Sequence, residues 1–204
     1  KIPIGSIANL YHRSIFDIWC AFTKNSQLGV YCSTGYNEIK KSLEHIKTEP
    51  QLIIDPLSIL TVVSLDIMEM IKNHFGKLGV AQSTVDLFQQ IVIEQNRMNS
   101  RSRSILVYHD NNVFMQEVSE ESKQKETEKL NSVLKFIHKN CEILPCNRAL
   151  YLNSKKKIEY NENIGRAFID TILIAGEKGN VLYSEEKTIR DIAKREFETN
   201  GIWT

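Results

Sequence analysis

Gln51-Leu52-Ile53-Ile54-Asp55-Pro56-Leu57-Ser58-Ile59-Leu60 is the stretch whose reading decides the fold. Its first four residues form a short apolar run, the pattern of a strand covered on both faces, as in parallel sheets flanked by helices. Pro56 suits the first turn of a helix, and the apolar residues that follow carry that helix over 57–75. Asp55 therefore stands where a strand ends and a helix begins, the place at which open α/β sheets bind ligands.

The same alternation repeats towards the C-terminus. Residues 78–81 read as a strand, Ser83 as an N-cap and 84–98 as a helix. Ile105-Leu106-Val107-Tyr108 and Val113-Phe114-Met115, joined by His109-Asp110-Asn111-Asn112, read as a hairpin inserted beside the sheet. The charged run 119–131 leads into Leu134, Phe136 and Ile137, which makes it one face of an amphipathic helix. Residues 141–144 give a strand, 151–163 a loop or frayed helix, 164–177 a helix ending before Gly179, 181–183 a strand, and 187–198 a last helix.

Towards the N-terminus, Lys47-Thr48-Glu49-Pro50 stops a helix over 37–46, residues 28–32 form a short β-like run, and the apolar residues of 7–23 fall near helical spacing. The expected organisation is a lobe at 1–50 and an α/β domain with a mostly parallel central sheet at 51–204. No internal repeat or long Gly, Ser or Pro linker divides the chain further.

Composition narrows the function. A formal charge of +1 over 204 residues gives no global attraction for nucleic acid, so any binding is local. Arg97, Arg101 and Arg103, and Lys155-Lys156-Lys157, are the local candidates, each open to the plainer reading of a solvated surface. Cys20, Cys32, Cys141 and Cys146 are scattered without CxxC or zinc-ligand spacing and read as reduced thiols, which fits a cytoplasmic setting. No apolar run reaches the roughly 20 residues needed to cross a bilayer, so no membrane is expected. The start at Lys1 and the end at Trp203-Thr204 point to a piece of a longer polypeptide, with upstream domains among its partners.

The chemistry is expected at strand ends. Asp170 lies inside the apolar run 167–175, where an ionised group needs a partner, a cap or a metal, and spacing leaves these three open. Glu185 and Glu186 follow the strand at 181–183 and precede a helix, where acids also steady the helix dipole. His109 and His138 belong to no nucleophile motif, and Gly76, Gly79 and Gly179 make no phosphate-binding loop. Tyr108 and Phe114 suit base stacking as well as ordinary strand packing.

Ile53-Ile54-Asp55-Pro56-Leu57-Ser58 resembles the first strand and first acid of a PIN domain. The segments 165–175 and 181–193 are similar to the family's third acid, penultimate strand, fourth acid and terminal helix, and 201–204 to the end of PIN modules in large bacterial multidomain proteins. The resemblance spans about 52–204. It implies a three-layer α/β/α Rossmann-like fold and a nuclease holding Mg²⁺ or Mn²⁺ on Asp55, Asp170 and Glu186. It also implies Glu185 as an outer or substitute ligand, and Arg190 and Lys187 as phosphate contacts.

RNA is the expected substrate ahead of DNA, and a second copy of the chain is an admitted partner. The pattern departs from the family at two positions. Leu87 stands where the second acid belongs, with Asp86 beside it and Gln90 and Glu94 on the neighbouring helix face. A glutamate pair replaces the usual fourth aspartate. These departures keep open the alternative of a degenerate module that binds nucleic acid or protein without cutting.

Overall fold

The computed structural model describes the chain except residues 1, 25–27, 33–34, 100–103, 110–111 and 204, and describes 104–109 and 112–116 by backbone alone. Three helices come first: α1 (Ile4–Leu10), α2 (Ile15–Lys24) and α3 (Tyr36–Ile46). Strand β1 (Gln51–Ile54) follows, then α4 (Pro56–Leu65), α5 (Met68–Phe75), β2 (Leu78–Ala81) and α6 (Gln82–Asn99). The hairpin β3 (Ser104–His109) and β4 (Asn112–Glu117) precedes α7 (Glu120–Asn140) and β5 (Cys141–Leu144). The chain closes with α8 (Ser154–Asn163), α9 (Arg166–Ala175), β6 (Asn180–Tyr183), α10 (Lys187–Phe197) and β7 (Gly201–Ile202).

Five strands form one all-parallel sheet in the order β5-β2-β1-β6-β7, flanked by helices. This is the expected three-layer α/β architecture. The central strand β1 buries Leu52, Ile53 and Ile54 completely or nearly so, which is why its sequence is an unbroken apolar run. Gly79 on β2 sits close-packed: a Cβ there would lie 2.5 Å from Ile53 Cδ1 and 2.8 Å from Leu144 Cδ1, so the ends of both side chains would have to shift. The hairpin pairs antiparallel in a two-stranded sheet of its own.

Several elements differ from the sequence expectation. Residues 28–32 form no strand. The helical spacing of 7–23 resolves into α1 and α2 with a break between them, and residues 154–163 are a helix capped by Asn153, whose side chain accepts from the N–H groups of Lys155 and Lys156. Helix α6 begins at Gln82, so Ser83 lies within its first turn and does not cap it. Strand β7 carries two residues and no apolar run of its own, yet pairs with β6 at Leu182↔Gly201 and Tyr183↔Ile202.

The expected helix 57–75 breaks at Asp66, which takes the left-handed conformation (φ 52°, ψ 36°) and ends α4 without any glycine or proline to announce it. Aspartate tolerates that region better than most residues, but glycine adopts it without penalty. Asp66 is exposed, so Asp66→Gly is expected to raise unfolding stability by up to about 1 kcal/mol, the left-handed cost of a residue with a Cβ less the extra chain entropy of glycine. A higher urea midpoint with an unchanged slope would bear this out; a lower midpoint would contradict it.

Candidate active site at the carboxyl ends of β1 and β6

The chain leaves β1 towards β2 and β5 on one side of the sheet, whereas β6 leads to β7 on the other. Adjacent strands whose connections run in opposite directions leave a crevice beyond their carboxyl ends. β1 and β6 are such a pair, in register from Gln51↔Asn180 to Ile54↔Tyr183. Asp55 terminates one strand, and Ser184-Glu185-Glu186 follows the other.

Asp55 is wholly buried and is the N-cap of α4, its Oδ1 accepting from the Ser58 N–H at 2.7 Å. The Ser58 hydroxyl in turn accepts from the Glu185 N–H at 2.8 Å, which ties the end of β6 to the start of α4. Asp55 Oδ2 has no hydrogen-bond partner among the described residues. Glu186, 3% exposed, accepts from the backbone N–H of Ile4 with Oε1 at 3.0 Å and Oε2 at 3.2 Å. Glu185 is buried beside them.

The two acids feel each other. Burial pushes the Asp55 carboxyl up to about 6, against the stabilising pull of Ser184 and Ser58, and the charge of Glu185 adds to the rise. Burial, followed by the charge of Asp55, pushes Glu186 up to about 8, against the Ile4 N–H. Near neutral pH the pair therefore tends to hold one proton, on the Glu186 side.

Asp170 is placed differently. It is buried in the middle of α9 and meets Arg166 one turn earlier, Nε to Oδ2 at 3.4 Å. Its charge is felt by Cys146, whose thiol burial and Asp170 together push up to about 11. The partner that spacing demanded for Asp170 is thus a cation of its own helix.

Among the described residues no three His, Cys, Asp or Glu side chains are grouped so as to hold a metal ion. The chemistry of the donor set suits a hard cation, but Glu186 is engaged by Ile4 and Asp170 by Arg166. In this arrangement the acids do not fit Mg²⁺ or Mn²⁺.

The expected phosphate contacts are drawn into the protein's own structure. Arg190 is 4% exposed; its Nη1 donates to the Ser184 carbonyl at 2.6 Å, its Nη2 to the Cys32 carbonyl and to Glu38 Oε1 at 2.9 Å, and its guanidinium lies 4.4 Å from the Trp203 ring centre. Lys187 pairs with Asp191 and Glu38. Arg97 sits exposed in the last turn of α6, and Arg101 and Arg103 lie outside the described residues.

A cleft of about 440 Å³ opens between α1, α6 and the start of α9, and none of Asp55, Asp170, Glu185 and Glu186 lines it. Leu87, the residue at the missing second acid, lines it together with Asp86, Gln90 and Glu94, while Arg13 and Arg166 supply cationic groups and His12 an imidazole. Periodicity could have indicated Arg166, four residues before Asp170, and Ser58, three after Asp55. Nothing in the sequence announced Ile4.

The raised pKa values carry a consequence for stability. An acid whose folded pKa exceeds its unfolded one binds more protons when folded, so it stabilises at low pH and loses that contribution as pH rises to the folded value. For Asp55 and Glu186 the window runs from about pH 4 to about pH 8. The thermal midpoint is expected to fall across it, each 1 kcal/mol moving the midpoint by roughly 2–4 °C in a chain of this size. Glu186→Gln keeps an acceptor for Ile4 and should flatten the upper half of the curve; an unchanged slope between pH 6 and 8.5 would refute the assignment.

The sequence matches the description "PIN domain associated with the TPR-GreAB-C-PIN system" over residues 53–195, well over half of the chain. No curated protein and no solved structure gives a significant match. The match begins within β1, ends within α10 and takes in Asp55, Asp170, Glu185 and Glu186. It carries with it association with other domains of a multidomain system, and among the described residues no helix is long and apolar enough to cross a membrane. The parallel sheet, the strand-end acids and this match agree: the chain belongs to the PIN domain family, a family of nuclease-like modules.

Proposed function

We propose that the chain is a phosphodiester-cleaving PIN endonuclease acting on RNA in preference to DNA. The observation that supports the reading is Asp55, a wholly buried carboxyl at the switch point of the sheet whose Oδ2 makes no close hydrogen bond beyond the nearby Ser184 and Ser58 hydroxyls, next to a second buried carboxyl, Glu186. A buried acceptor so poorly satisfied is costly and finds its use in a reaction or a ligand.

Before any ion is bound, the two acids are poised for opposite roles. Asp55, ionised near neutral pH, accepts a proton on Oδ2 from an attacking water, and Glu186 retains a proton for the leaving oxygen. Separate tuning of neighbouring carboxyls is worth typically 10²–10⁴ in rate. If Mg²⁺ or Mn²⁺ were held by Asp55, Asp170 and Glu186, with Glu185 as substitute, it would offset charge on the phosphate; Glu186 would then give up its proton and leave Ile4, and Asp170 would leave Arg166. The setting we infer is the bacterial cytoplasm, within a larger polypeptide.

Leu87 favours a second reading, a module that binds nucleic acid without cutting it, because a leucine cannot replace the second carboxylate. Cleavage of labelled single-stranded and structured RNA, and of matched DNA, with Mn²⁺ present separates the two. Asp55→Asn retains a good N-cap and is expected to lower RNA cleavage at least about 100-fold with the fold intact. Equal cleavage by the variant would overturn the assignment, and RNA bound but uncut by the unmodified chain would establish the second reading.

A further inference from the structure

Leu150 and Tyr151 are 80% and 89% exposed, although the turn that carries them is well fixed. They close a single 3₁₀ turn, Asn147–Leu150, between β5 and α8. Ala149 and Leu152 pack on the core, Arg148 Nη1 donates to the Leu173 carbonyl at 3.3 Å, and the Tyr151 N–H donates to the Arg148 carbonyl at 3.1 Å. An ordered backbone thus holds the phenol ring out into water.

Directly after this turn, α8 begins with Lys155, Lys156 and Lys157 in its first turn. Lys155 and Lys156 are exposed, and none of the three makes an ion pair among the described residues. Glu196 is the acid that comes near Lys156, but Arg195 Nε already holds it at 2.8 Å. No acid stands between Glu142 and Glu159, a stretch that carries Arg148 and the three lysines.

The plainer reading of the run, a solvated helix face, has an energetic cost. Cations suit the last turn of a helix, and here they occupy the first, with no acid beside them to steady the dipole. The N–H groups of that turn are already used, since Asn153 Oδ1 accepts from Lys155 and Lys156. What the run offers a ligand is therefore its ammonium groups. An open aromatic face next to unpaired ammonium groups fits a flexible polyanion with flat rings, because bases stack on the ring while phosphates meet the lysines. A duplex keeps its base faces inside, so the strand must be single.

We infer that Leu150, Tyr151, Lys155, Lys156 and Lys157 form an anchoring surface for single-stranded nucleic acid, separate from the strand-end acids. Ile164 and Gly165, just past the other end of α8, line the cleft, so the surface stands a helix length of about 15 Å from it. The inference takes its ligand class from the reading of the chain as an RNA-acting module, but anchoring needs neither a metal nor cleavage. A local anchor also accounts for how a chain with a net charge of +1 holds a polyanion.

Fluorescence anisotropy with labelled single strands of about 12 nucleotides, RNA and DNA of one sequence, tests this in the presence of chelator, so that nothing is cut. Lys155→Gln/Lys156→Gln/Lys157→Gln is expected to weaken binding about tenfold or more and to lower the slope of log K against log salt by about 2, three phosphates at roughly 0.7 each. Tyr151→Ala is expected to weaken binding at least about fivefold with the slope unchanged, and Tyr151→Phe to leave it intact. Removing cations from the start of α8 is expected not to lower the thermal midpoint, which keeps loss of binding apart from loss of fold. RNA and DNA are expected to bind alike, since stacking and phosphate contacts do not read the 2′-hydroxyl; DNA left unbound while RNA binds contradicts these contacts.

Lys40→Gln/Lys41→Gln/Lys47→Gln makes the same change of charge at exposed lysines of and just beyond α3. An equal loss there makes binding a matter of net charge and overturns the surface. Strand binding untouched by both the lysine and the tyrosine variants overturns it as well, while leaving the RNA-acting reading in place. Absence of binding by the unmodified chain overturns the surface, and cleavage with Mn²⁺ present then decides the enzymatic reading separately. Association with phosphatidylserine vesicles that is lost in the same variants, with strand binding unchanged, overturns it in favour of a membrane contact.

Discussion

Two buried carboxyl groups side by side are the constraint around which this molecule is arranged. An ionised carboxylate removed from water costs several kcal/mol unless it is paired or hydrogen-bonded, and a second one nearby adds repulsion. Here the cost is met from the backbone. The Ser58 N–H in the first turn of α4 turns to Asp55, the Ser58 hydroxyl locks α4 to the residue after Ser184, and an N–H from the other end of the chain turns to Glu186. Each of these donors is fixed by an element whose own packing is apolar, and that rigidity keeps the acids in place. Asp55 Oδ2 is the least satisfied oxygen of the pair, with only the Ser184 and Ser58 hydroxyls near the carboxyl.

Other buried charges in the same layer show the contrast. Arg190 is almost fully satisfied by two carbonyls, Glu38 and the face of Trp203, so it fastens α3, α10 and the last strand to one another. A cation so engaged is not available to a phosphate. Asp170, itself buried, pairs with an Arg166 that is largely exposed and lines the cleft. The acids thus differ in setting: Asp55 caps α4, Glu186 accepts from the first N–H of α1, and Asp170 pairs within its own helix.

Much of the sheet was legible because its cause is local. β1, β2, β5 and β6 each stand out as short apolar runs between turn-forming residues, and Asp55-Pro56 marks a strand-to-helix junction through capping chemistry that operates within three residues. Where the determining force is nonlocal, the reading failed. β7 is a strand because β6 offers it an edge, residues 28–32 are none because no neighbour pairs with them, and Asp66 breaks a helix for the sake of packing on both sides. Arg190 carried the amphipathic spacing of a surface helix, and what turned it inward were Cys32 and Glu38, about 150 residues away.

The sequence by itself determined the fold class, the register of acids at strand ends and the absence of a carboxylate at Leu87, since periodicity, caps and residue identity act at short range. Only the tertiary structure decided which acids share a site. Strand order brought Asp55 to Glu186, an intrahelical cation drew Asp170 aside, and the chain's first helix, 182 residues from Glu186, came to rest on its carboxylate. Contacts across such distances follow from how the layers pack, because burial is indifferent to separation along the chain and is satisfied wherever shape and polarity match.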